Sequence, residues 1–204
     1  MYYFIEGMFT AFGADPNIRY IEDYGTILTY IPDSEECVKS IIADKIKKDK
    51  LEDAYILLKG FYRYTEEEEI MIKLLNIGEV LREKDTGFTE LFVEDISLCK
   101  EKFFKCPEPY LYNALILRDD GEFKCAQAEI HEYINKGGKM NPEVESIVKD
   151  IENISTYEKA VELVKDNPEK AIELLIPLSN EFSDNPLIYY YLGVCCRKLQ
   201  RIIQ

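Results

Sequence analysis

From Asp33 to the end of the chain, apolar residues return every three or four positions, in helix-length segments parted by short polar joints. That spacing places them on one side of a helix, and joints so short fold each helix back on the one before. "DSEECVKSIIADKIKK" carries Val38, Ile41, Ile42 and Ile46 on one face, behind an N-cap candidate, Asp33 or Ser34. "KLEDAYILLKGFYRY" sets out Leu51, Ala54, Leu58 and Phe61 in the same manner. "TEEEEIMIKLLNIGEVLREK" and "GFTELFVEDISLCKEKFF" continue the series, with "KKDK", "RYT", "KDTG" and "KCPEP" as joints. The glutamates at 66–69 read as a solvated first turn, where carboxylates meet the positive end of a helix dipole. Such a chain is expected to be mostly α, a succession of antiparallel helix pairs.

The first 31 residues have another character. "YYFIEGMFTAF", "NIRYIED" and "TILTYI" are aromatic and β-branched, and "GADPN" and "DYG" separate them. A small β-hairpin or three-stranded meander is expected over 1–31, with an irregular aromatic helix as the other reading. It would cap a helical domain over 32–204.

Within that domain the pattern repeats. In "PYLYNALILRDDGEFKCAQAEIHEYI", Tyr110, Ala114 and Leu117 correspond to Tyr189, Gly193 and Cys196 of "NPLIYYYLGVCCRKLQ". Gly121, Phe123, Ala126, Ile130 and Tyr133 follow the first set. In "STYEKAVELVKDNPEKAIELLIPLSNEFSDNP", Ala171, Leu175 and Leu178 take equivalent places before Asn185-Pro186. These motifs resemble the tetratricopeptide repeat, a helix pair of about 34 residues with small residues where its helices cross. The resemblance is clearest over 107–204, looser over 34–105 and absent before that. Ala126 and Ala171 are 45 residues apart, about three helical turns more than one repeat. A longer helix absorbs the excess: it starts at Asn141-Pro142 and keeps Val144, Ile147, Val148, Ile151, Ile154, Tyr157, Val161 and Val164 in one stripe.

The resemblance implies an α-α superhelix whose first helices line a groove that holds a partner. By register the groove positions are Leu111, Leu115 and Arg118, then Thr156, Ala160 and Leu163, then Tyr190, Val194 and Arg197. Chaperone-binding members of the family hold a peptide's terminal carboxylate with Lys and Asn at such places. Here they are mostly Leu, Thr, Tyr, Ala and Val, which suits an apolar helix or extended segment instead. The resemblance also makes residues 186–199 the first helix of a further repeat, with Leu192 and Cys196 facing the preceding one. Leu199, Ile202 and Ile203 would then be uncovered, so the array is expected to continue past Gln204 or to self-associate through 186–204.

Chemistry-bearing patterns are scarce. Lys and Arg number 25 against 39 Asp and Glu, a net charge of −14, which disfavours nucleic acid and anionic membrane surfaces. No apolar run approaches the roughly 18 residues of a membrane span, and "MYYFIEGMF" lacks a basic secretory start; a cytoplasmic location is expected. Six cysteines without CxxC spacing read as buried free thiols. His131 stands alone on a helix surface, "KGGK" at 136–139 reads as a helix C-cap, and no phosphate-binding glycine motif occurs. Neither enzyme activity, cofactor nor metal is expected. The expectation is a protein-interaction scaffold binding a peptide or protein; the alternative is a regulatory peptide-sensing domain of a longer protein.

Overall fold

The computed structural model describes the backbone of residues 2–19 and 21–203, and the side chains of that span through residue 200. Its helices are α1 (Tyr2–Ala14), α2 (Ile21–Thr29), α3 (Ser34–Lys47), α4 (Leu51–Thr65), α5 (Glu68–Lys84), α6 (Thr89–Lys102), α7 (Glu108–Asp119), α8 (Phe123–Asn135), α9 (Pro142–Asp166), α10 (Pro168–Glu181) and α11 (Pro186–Ile203). A single 3₁₀ turn, Thr86–Phe88, joins α5 to α6. No strand occurs among the described residues, and no helix there is long and apolar enough to cross a membrane.

The expected N-terminal hairpin is therefore a pair of helices. Ile5, Met8, Phe9 and Phe12 lie at helical spacing and are all buried. Aromatic content suggests strand only as a packing preference, and the period of burial overrides it. The glutamates at 66–69 are shared between two helices: Glu66 ends α4 at φ 52°, Glu67 precedes α5, and Glu68 and Glu69 form its first turn. Asp33 precedes α3 in a left-handed conformation, φ 56°, without a side-chain capping bond.

The chain forms two compact units, Met1–Tyr112 and Asn113–Gln204. In the first, α1 packs along α4 and also touches α3, and α4 packs on α5, which packs on α6. The α1–α4 crossing is made by backbone. A Cβ on Gly13 would overlap the Ile56 carbonyl, and one on Gly60 would overlap the Phe9 carbonyl. At this close approach Phe9 meets Phe12 and Phe61 edge-on, at 5.8 and 5.6 Å between ring centres. Arg63 of α4 then donates to the carbonyls of Phe12, Asp15 and Pro16, closing the end of α1 with a cation.

In the second unit α8 packs on α9, α9 on α10 and α10 on α11, and α9 also reaches α11. The long helix forms as the apolar stripe requires: Asn141 Oδ1 accepts the Val144 N–H at 2.8 Å, and Pro142 opens the first turn. Ala126 and Ala171 are both fully buried. Ala171 packs with Val164 and Cys195.

The glycine crossing separates two otherwise identical substitutions. Gly60→Ala should lower stability by roughly 1–3 kcal/mol, because two backbones must part. Gly7→Ala, on α1 but away from the crossing, with nothing within 4 Å of its Cβ position, should instead gain about 0.5–1 kcal/mol through helix propensity. Urea midpoints of the two variants against the parent chain decide this.

Candidate functional site

The second unit carries most of the expected groove positions, three of them on α11. Asn185 Oδ1 accepts the Leu187 N–H at 3.0 Å as the helix begins. Ile188 and Cys195 are buried, and Tyr191 and Leu192 pack beside them on side chains of α9 and α10. Of the residues expected to face the preceding helices, Leu192 does so, while the places expected of Tyr189, Gly193 and Cys196 fall to residues one or two positions earlier, Ile188, Tyr191 and Cys195. Tyr189 is 49% exposed, Cys196 is exposed, and nothing lies within 4 Å of a Cβ on Gly193. One residue turns a helix by about 100°. The observed face offers Ile, Tyr and Leu beside the thiol, more apolar surface to bury than a face containing glycine. Leu199 is partly buried; Ile202 and Ile203 lie outside the described side chains.

The nine groove residues separate accordingly. Ala160 is fully buried in the cluster of Leu175, Leu178 and Ile188, and Leu115 is 7% exposed; both are packing residues. Leu163 and Val194 each pack against the cluster of Val164, Ala171 and Cys195. Thr156 is partly exposed, and Arg118 is too, with its guanidinium on Asp119 Oδ1 at 2.8 Å. Tyr190, 59% exposed, and Arg197 are open to solvent. Leu111, partly buried, belongs to the first unit.

The concavity itself was missed on sequence. A hollow of about 430 Å³ lies over Phe123 and Lys124 of α8, Tyr157, Val161 and Glu162 of α9, and Tyr191 of α11. Tyr157, Val161 and Tyr191 each follow an expected groove residue by one position. The Tyr157 and Tyr191 rings meet at 6.2 Å between centres, and partial burial pushes the Tyr157 hydroxyl above its usual range. Lys124 bridges to Glu162 at 2.7 Å across the rim. The signal was present: Tyr157 and Val161 belong to the α9 stripe, and Tyr157 is its one aromatic.

His131 is exposed on α8. The cysteines are mixed rather than uniformly buried: Cys125 and Cys196 are exposed, Cys37 is intermediate, and Cys99, Cys106 and Cys195 are buried. Cys99 and Cys106 lie 4.0 Å apart, sulfur to sulfur, and the Cys106 thiol donates to Glu108 at 3.1 Å. No group of three or more His, Cys, Asp or Glu able to hold a metal ion occurs among the described residues. No protein-family model, curated protein or solved structure matches the chain.

Adjacent cysteines report the α11 register directly. Burial pushes the Cys195 thiol up, which slows thiolate chemistry. Under native conditions Cys125 and Cys196 should react with a disulfide reagent at least about tenfold faster than Cys195; peptide mapping after a timed quench reads both rates. Equal labelling of Cys195 and Cys196 would contradict the register.

Proposed function

We propose that the chain is a non-catalytic interaction scaffold, a degenerate tetratricopeptide-like superhelix that holds an apolar segment of another protein. The carrying observation is the outer strip of α11. Leu187 and Tyr190 are 54% and 59% exposed, one turn apart on a helix that continues to Val194 and Arg197. Large apolar side chains kept in water on one helix face are the usual mark of a contact surface, and Tyr and Arg are the residue types that most often anchor one. The mutual packing of α9, α10 and α11 supports the superhelix, since in stacked helix pairs a first helix touches its own partner and the next first helix.

The chemistry favours an aromatic or aliphatic segment, with Arg197 available to a carboxylate beside it. Selection of displayed random peptides on the full chain tests the reading. Enriched sequences should be apolar, and Tyr190→Ser and Arg197→Glu should each weaken them by about tenfold, the loss of one good anchor. Phe104→Ser, at a 66% exposed aromatic of the first unit, should leave them unchanged. Failure to enrich any sequence, or peptides indifferent to both α11 substitutions, overturns it.

A further inference from the structure

The first unit contains a cavity that the scaffold role does not use. About 550 Å³ opens among the end of α1, one face of α4, the end of α5 and the start of α6, within the range of roughly 300–1,000 Å³ typical of small-molecule sites. Ile56, Leu81, Leu91 and the rings of Tyr55 and Phe88 form its walls, and those two rings meet edge-on at 4.8 Å. One wall is held by a network around a buried carboxylate. The Tyr55 hydroxyl donates to one oxygen of Asp95, which is 3% exposed, and Lys59 Nζ holds the other at 2.9 Å.

The charges around this apolar space are unbalanced. Its two ammonium groups are already engaged, Lys59 by Asp95 and Lys84 by Asp49 at 3.1 Å. Of its three carboxylates, Asp85 accepts the Gly87 N–H at 2.9 Å. Glu52 and Glu94 have no cationic partner among the described residues and are both exposed at the rim. With the two partners included, five carboxylates surround two ammonium groups.

We propose that this cavity binds a small amphipathic organic cation, an amine or guanidinium carried on an apolar or aromatic body. The body replaces water against Ile56, Leu81 and Phe88, where burial of apolar area drives binding. The charge lies toward Glu52 and Glu94, which gain the cation they lack. An anion is disfavoured on the same grounds. To use Lys59 it must compete with Asp95, whose buried carboxylate would be stranded without its ion pair. The site belongs to the first unit and the scaffold surface to the second, so either reading can fail without the other.

Titration calorimetry of the full chain with three probes of one shape tests this: tryptamine, its alcohol tryptophol, and its acid indoleacetate. Tryptamine should bind about tenfold tighter than tryptophol, as two exposed charge contacts allow, and indoleacetate most weakly. Glu52→Gln with Glu94→Gln should bring tryptamine to within about twofold of tryptophol, and both positions are exposed, so the fold is retained. Ala14→Trp, at an exposed position lining the cavity, should abolish binding of tryptamine and tryptophol alike. No binding of tryptamine, tightest binding of indoleacetate, an amine preference that survives the double substitution, or binding that survives Ala14→Trp overturns the proposal.

Discussion

Two helices in backbone contact set the geometry of the first unit. Gly13 and Gly60 let α1 lie against α4 with main-chain carbonyls where side chains would otherwise stand. Helices rarely approach so closely without small residues, because each added carbon pushes the axes apart. The gain is in what the approach brings with it. Phe9, Phe12 and Phe61 fill a buried aromatic core beside the crossing, and Arg63 reaches the open carbonyls at the end of α1. The same crossing brings Gly13 and Ala14 to the mouth of the cavity, with Ile56 and Lys59 on the facing helix. A site for a small molecule is thus a by-product of one close contact.

The second unit is organised by punctuation more than by close approach. Asn-Pro occurs before each of α9, α10 and α11, and each time the asparagine side chain accepts a backbone N–H of the first turn. Proline supplies the φ that a first turn needs and removes a donor that would have no partner. Three starts written in the same chemistry give the α-helical hairpins similar beginnings, although α9 runs for 25 residues and α10 for 14. Pro177 inside α10 removes one internal hydrogen bond, yet Leu175 and Leu178 on either side remain buried, so packing holds the helix there.

These features explain what was legible in the sequence. Asn141-Pro142 and the stripe from Val144 to Val164 announced a long helix, since caps and periodicity are local and agree with each other. Ala126 and Ala171 were readable as packing positions because a small residue in an apolar stripe has few other uses. The N-terminal segment misled because its residue types favour strand while their spacing favours helix, and burial follows spacing. The register of α11 was anchored on Gly193, but the helix turns toward the richer face of Ile188, Tyr191 and Cys195, a choice that only the neighbouring helices can impose. The hollow at Tyr157 and Tyr191 lies one position on from the groove residues expected at Thr156 and Tyr190. The cavity at Tyr55 left no signature, because Ala14, Ile56, Leu81 and Phe88 come from four segments with no common period.

Asn167 closes α9 and opens α10 by itself: its N–H bonds the Leu163 carbonyl at 2.8 Å, and its side chain accepts from Lys170 at 3.2 Å. A corner one residue wide has no slack. Any added residue would rotate α10 by about a quarter-turn or more relative to α9 and take Ala171, Leu175 and Leu178 out of the core together. The stretch from Lys136 to Asn141 has no such double duty, and Gly137 there already stands at φ 80°. Changes in chain length during descent should therefore collect before α9 and spare the corner after it, so that the spacing from Val164 to Ala171 drifts far less than the spacing from Tyr133 to Val144.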